Sequence, residues 1–207
     1  MKFLALLFGL NIYKPYSALI RFILQLRGIR IGKNFYIQGV PMLKIHGKSS
    51  DIIIGDNVSV LGNIDLRNRE SGKIIIGNEV AIDTDCRFVS ANNAVLRLEN
   101  GCCLGNNCVF NAGTNITVGK NSLIAGYCHI QSSNHGISKN QLIKDQKHNY
   151  GEIDIGKDCW LGNRVIVTSG IEIGDGAVVG AGSVVTKNLE SYTINAGVPT
   201  KLIRNRN

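Results

Sequence analysis

From Ile155 onward every sixth residue is aliphatic: Ile155, Leu161, Val167, Ile173, Val179 and Val185. Gly follows four of them, at Gly156, Gly162, Gly174 and Gly180. A period of six matches neither the helical repeat of about 3.6 nor the strand repeat of about 2. It predicts a β-solenoid in which each short, flat face points one small aliphatic side chain inward, three faces making a triangular coil of 18 residues. The same triplets recur upstream: Ile31/Ile37/Leu43, Ile54/Val60/Leu66, Ile76/Ile82/Phe88, Leu98/Leu104/Phe110 and Val118/Ile124/Ile130. Seven coils are therefore expected, with starts separated by 23, 22, 22, 20, 37 and 18 residues. At about 4.8 Å per coil the prism would stand about 30 Å tall.

The one outlying interval predicts an excursion that leaves the solenoid near Gln131 and returns near Ile153, a projecting loop at about 131–152. Insertions in a repeat gather on one face, commonly the binding face. The corner sequences "IGKN", "IGDN", "IGNE", "LGNN", "VGKN", "IGKD", "LGNR" and "IGDG" supply Gly, which takes φ > 0 without steric cost, and Asn, which tolerates it.

The first 30 residues break this pattern. "MKFLALLFGLNIYKPYSALIRFILQLRG" has helical spacing, with a break expected at Lys14-Pro15, Pro15 in the first turn of a second helix and Gly28 at its C-terminal cap. Lys14, Ser17, Arg21 and Gln25 form one narrow polar stripe on an otherwise apolar surface. No uncharged apolar run of about 18 residues is present, so a membrane-spanning helix is not expected. The start has the look of a signal peptide, but no small-residue cleavage site follows. Two readings stand: the helices cover the open strand edges of the first coil, or they form an interfacial membrane anchor.

Charge sharpens the second reading. Residues 1–50 hold eight Lys or Arg and no Asp or Glu, so the whole formal excess of +8 lies there. Such an arm suits an anionic surface. Its charges are interleaved with Leu and Ile rather than clustered among stacking aromatics, which argues against nucleic acid. Aromatic residues make up only 6% of the chain, so the core must be built from Ile, Val and Leu. The six Cys, Cys86, Cys102, Cys103, Cys108, Cys128 and Cys159, form no CxxC pair and read as reduced core-filling residues of a cytoplasmic protein. Of the four His, His46, His129, His135 and His148, two lie in the excursion. An imidazole there could act as a general base at neutral pH.

The stretch "CWLGNRVIVTSGIEIGDGAVVGAGSVVTKNLESYTINAGVPTKLIR" resembles the C-terminal signature of hexapeptide-repeat acetyltransferases. It is most similar to the galactoside, maltose, Nod-factor and xenobiotic acetyltransferase branch, which includes the sugar O-acetyltransferases of surface-polysaccharide clusters. The resemblance implies an all-β fold, a left-handed parallel β-helix, assembled as a homotrimer with acetyl-CoA between neighbouring subunits. It implies that His135, in "VGKNSLIAGYCHIQSSNH", is the catalytic base, and that Asn111, in "LGNNCVFN", is its family Asn. It sets Trp160 beside the pantetheine arm and Asn163 and Ala181 along the CoA channel. Thr186 and Lys187 would meet the adenosine end, and Lys201 and Arg204 the phosphates. No metal is implied. Two departures bear on the acceptor: Asn134 precedes the His where many relatives differ, and the acceptor-binding N-terminal region of the galactoside enzymes is replaced by the basic apolar helices.

Three regions follow: residues 1–30, the basic helical segment; 31–190, the β-helix with its acceptor loop at 131–152; and 191–207, a CoA-binding tail. The expected activity is direct acetyl transfer from acetyl-CoA to a sugar hydroxyl of a surface-polysaccharide or lipid-linked glycan. The expected setting is the cytoplasm, or the inner face of the membrane if residues 1–30 bind it. The alternatives are N-acetylation of an amino-sugar nucleotide and a non-catalytic scaffold. A metal hydratase of similar fold would need three His ligands on adjacent faces, and no third His stands at a matching position.

Overall fold

A computed structural model describes residues 9–207. The chain winds into a parallel β-helix of seven triangular coils, faced by two seven-stranded sheets and one nine-stranded sheet. The predicted inward residues stack as predicted. In the first sheet Ile31, Ile54, Ile76, Leu98, Val118, Ile155 and Ile173 are successive register partners. In the second, Ile37, Val60, Ile82, Leu104, Ile124, Leu161 and Val179 do the same. In the third, the column is Leu43, Leu66, Phe88, Phe110, Ile130, Val167 and Val185, with Phe88 and Phe110 stacked at 5.3 Å.

A second inward column stands two residues before each of these. It explains the cysteines. Cys86, Cys108 and Cys128 stack in one column, and Cys102, Ser122 and Cys159 in another, all buried. Their S–H groups donate to corner carbonyls: Cys86 to Gly105 and Cys108 to Ala125 at 3.1 Å, and Cys128 to Gly162 at 3.2 Å. Ser122 makes the equivalent bond to Gly156 O at 2.8 Å. The position wants a small side chain that also satisfies a carbonyl, and Cys meets both demands. All six thiols are free, and Cys103 departs from the expectation by facing solvent. Burial pushes the Cys102 thiol up to about 11, so it stays protonated at neutral pH.

Some corner glycines take the expected positive φ, as at Gly101 (74°), Gly176 (67°) and Gly182 (70°), and those directly after an inward residue meet a different demand. At the corner after the first sheet, positive φ falls three residues beyond the inward residue, at Asn34 (54°), Asn57 (58°) and Asn121 (60°). The Gly immediately after the inward residue is needed for space. A methyl group on Gly55 would sit 2.7 Å from the Gly77 carbonyl carbon one coil away.

The N-terminal end is closed by a 3-10 turn, Leu10–Ile12, and helix α1, Tyr13–Leu26. The helix runs through the expected break at Lys14-Pro15, because Pro15 lies in its first turn, where no N–H is needed. An earlier helix would fall mainly on residues 1–8, outside those described. Gly28 ends α1 with φ 86°, its N–H donating to Gln25 O. Part of the polar stripe of α1 turns toward the solenoid, while Lys14 stays exposed. Ser17 is buried, and its Oγ accepts the Ile37 N–H at 2.8 Å. Gln25 donates to Ile31 O at 3.1 Å and Tyr16 Oη to Gly39 O at 2.9 Å. These bonds satisfy the open edge of the first coil. Leu19, Phe22, Ile23 and Leu26 face outward instead.

The excursion is an ordered hairpin rather than an open loop. Ser133–His135 pairs antiparallel with His148–Tyr150, so its backbone groups satisfy one another. Gln146 clamps its tip, accepting from Ser138 N and donating to Ser138 O and Gln141 O at 2.7, 2.8 and 3.0 Å. At the far end, Thr193–Ala196 extends the second sheet, and Lys201–Asn205 pairs antiparallel with it.

Candidate active site

The hairpin leaves the end of the third face and leans over it. Buried Ser132 anchors its root: the Ser132 Oγ accepts the N–H groups of Gly113 and Thr114 at 3.0 and 3.1 Å. Tyr150 lies on Gly113, where a methyl group would come 2.7 Å from its ring. Between hairpin and face lies a cleft of about 410 Å³, lined by Arg67, Arg87, Asn111, Gln131, Ser133, His148 and Tyr150 among others.

The structure brings the two hairpin histidines together. His135 and His148 are cross-strand partners with ring centroids 4.2 Å apart, and the His148 and Tyr150 rings are 6.1 Å apart. His148 lines the cleft, with His135 beside it on the hairpin. Asn111 lines the same cleft one coil below Gln131. His129 Nε2 and Gln131 Oε1 lie 3.2 Å apart. Asn111 Nδ2 approaches that nitrogen only to 3.5 Å. Gln131 Nε2 donates to Ser133 O at 2.8 Å, tying this row to the hairpin root.

Beneath the cleft Asp65 is nearly buried. It accepts from Arg67 Nε at 2.9 Å and Nη2 at 2.5 Å, and from Arg87 Nε at 3.1 Å. Burial alone would raise its carboxyl; the two guanidinium groups outweigh that and hold it below the usual carboxylate range.

These residues fall in outward columns on either side of the third-face inward residues. Asp65, Arg87 and His129 stand one before, and Arg67, Asn111 and Gln131 one after. Asp65, Arg67, Arg87, His129, Gln131 and Tyr150 were not singled out from the sequence. Writing the outward columns beside the inward ones would have aligned all but Tyr150.

The residues expected to hold CoA form a looser set. Trp160, Asn163 and Ala181 are exposed on one edge of the last coils, where Trp160 lies in the second sheet and Gly162 packs on Ala181. The tail reaches this edge: Lys201 is the partner of Ala196, which packs on Gly180, and Arg204 is the partner of Ile194. Thr186 and Lys187 sit at the end of the third face, just after Val184, which accepts the Thr200 N–H at 3.0 Å. The exposed Trp160 indole, Asn163 and Ala181 share this edge with the cations Lys201 and Arg204 of the tail. That donor set fits a slender thiol arm ending in phosphates.

Residues 152–187 match the family model described as the hexapeptide repeat of succinyl-transferase. A Mycobacterium tuberculosis protein named "Probable acetyltransferase" is 31% identical over 157 residues, covering 75% of this chain and 50% of that protein. The galactoside O-acetyltransferase of Escherichia coli is 37% identical over 92 residues, 44% of this chain and 45% of the enzyme. The chain thus spans about half the length of the curated relatives it matches. Among solved structures, the polySia-specific acetyltransferase NeuO superposes with a TM-score of 0.68 at 22% identity, over 86% of this chain and 85% of its own. A hexapeptide-repeat acetyltransferase of Vibrio cholerae complexed with acetyl-CoA superposes with a TM-score of 0.50 at 26% identity, over 53% and 61% of the two chains. Residues 152–187 carry the hexapeptide repeat, and the chain resembles the hexapeptide-repeat acetyltransferases in sequence and in fold.

Proposed function

We propose that this β-helix transfers an acetyl group from acetyl-CoA to a sugar hydroxyl of a surface-polysaccharide or lipid-linked glycan. The observation that carries the reading is the hairpin histidine pair, held over a polar cleft on a solenoid related to sugar acetyltransferases. His135 takes the proton of the acceptor hydroxyl as its oxygen attacks the thioester carbonyl carbon. The carbon–sulfur bond then breaks, and His135 returns the proton to the departing sulfur. Asn111 orients the acceptor from the cleft floor. No covalent relay is needed, since five of the six thiols are buried.

Acetyl-CoA would lie along Trp160, Asn163 and Ala181, with Lys201 and Arg204 near its phosphates and Thr186 and Lys187 at its adenosine end. The V. cholerae relative, complexed with acetyl-CoA, supports the donor. Trp160 is 53% exposed, so a second wall from another subunit would enclose this strip, and we propose a homotrimer on that ground. The outward apolar face of α1, with Lys14 and Arg27 exposed beside it, supports peripheral contact with an anionic membrane on the cytoplasmic face. Among the described residues no helix is long and apolar enough to cross a membrane.

Titration with acetyl-CoA in a calorimeter tests the donor assignment. Binding that weakens in the doubly substituted Lys201→Ala, Arg204→Ala protein is expected. Absence of binding at millimolar acetyl-CoA would remove the donor from the proposal.

A further inference from the structure

We infer that the acceptor held in the hairpin cleft carries an anionic group, a carboxylate or a phosphate, and that Arg67, Arg69 and Arg87 recognise it. The inference rests on the acetyl-transfer reading only for the word acceptor. The anion site itself stands on the charge and geometry of the cleft.

Three guanidinium groups line this cleft, and the carboxylates beside them are Asp65 and Glu70. Asp65 lies underneath, 4% exposed, where an incoming ligand cannot compete for it. Glu70 Oε2 is occupied by the Asn92 N–H at 2.9 Å. One positive charge is left over, directed to the cleft.

The arrangement also fixes direction. Asp65 binds Arg67 through Nε and Nη2 and Arg87 through Nε alone. Among the described residues the two Nη groups of Arg87 meet no protein acceptor, and its side chain is 48% exposed. A guanidinium held at Nε by a buried carboxylate leaves its two Nη groups as a free pair of N–H donors. That fork matches two oxygens of a carboxylate or phosphate and is wasted on a single neutral hydroxyl. Arg69, exposed and clear of Asp65, adds a further cation at the rim.

A purely architectural role would be different. Asp65 and Arg87 are cross-strand partners, and such a pair could serve only to tie two coils together. It would then be indifferent to the ligand's charge. Titrating the full-length protein with glucuronate, glucose 6-phosphate and glucose separates the two.

We expect at least one anionic probe to bind about tenfold or more tightly than glucose, as charged hydrogen bonds outweigh neutral ones. The preference should weaken with salt. It should fall about tenfold in Arg87→Met, and in Arg69→Met, which leaves Asp65 covered and the fold undisturbed. Arg97→Met, on the first face, should leave it unchanged. Which anion binds distinguishes a uronic-type acid from a sugar phosphate. Equal affinity for all three probes, no binding by either anion, or a preference that survives both variants would overturn the inference. Thiol release with neutral acceptors alone would sink the anion site and spare the transferase reading. Anion binding without thiol release on any acceptor would do the reverse.

Discussion

His135 is the residue on which the proposed chemistry turns. Replacing it with Ala should lower turnover about a hundredfold or more, the usual loss for a general base, and leave acetyl-CoA affinity intact. Steady-state kinetics beside calorimetry checks both halves. Its neighbour His148 packs 4.2 Å away, so His148→Ala should cost less; an equal loss would assign the base to His148. Asn111→Ala should fall between. At the same scale, Asp65 links the cleft to stability. Its carboxyl is held low by Arg67 and Arg87. The stabilisation is therefore present above the ordinary Asp value of about 3.9 and is lost as pH falls through the lower folded value. Chemical denaturation from neutral to strongly acidic pH should show wild type losing stability in that acid range. Asp65→Asn should begin less stable and change less there.

Elements carry a second set of lessons. Spacing alone made all seven coils legible in the correct register, because each inward Ile, Val or Leu must stack on its neighbour and nothing else satisfies a period of six. The same spacing hid why a Gly stands directly after so many inward residues. Gly55 is excluded from larger size by the next coil's backbone, a contact between repeats that a single repeat does not display. Gly55→Ala should therefore cost about 1–3 kcal/mol by overpacking, read from urea midpoints. The excursion's place was legible and its form was not, since "QSSNHGISKNQLIKDQKHNY" lacks the alternation of a buried strand. The orientation of α1 was also out of reach. Ser17 and Gln25 of its polar stripe bond the first coil beside buried Tyr13 and Leu24, while Leu19, Phe22, Ile23 and Leu26 point out. This predicts salt-sensitive co-sedimentation with anionic vesicles, lost on deletion of residues 1–27, with activity on a short soluble acceptor retained. A protein that stays in the supernatant at low salt would leave α1 as an end cap only.

At the scale of the whole molecule, the candidate site is divided between parts that the chain alone brings together and parts that it leaves open. The cleft, the hairpin and Asn111 converge within one chain. The strip at Trp160, Asn163 and Ala181 remains exposed, and Thr186 and Lys187 lie apart from it. Assembly of three copies would complete that strip, and sedimentation equilibrium should return three times the mass of 22.5 kDa. A strict monomer with full activity would contradict a shared site. The central claim is the reaction itself. Its most direct measurement follows thiol release from acetyl-CoA across a saccharide panel, with mass spectrometry and mild alkali applied to the product. The account predicts acceptor-dependent thiol release that His135→Ala abolishes, and a product whose acetyl group mild alkali removes, as it does an ester. An alkali-stable acetyl amide, or thiol release indifferent to the acceptor, would contradict it.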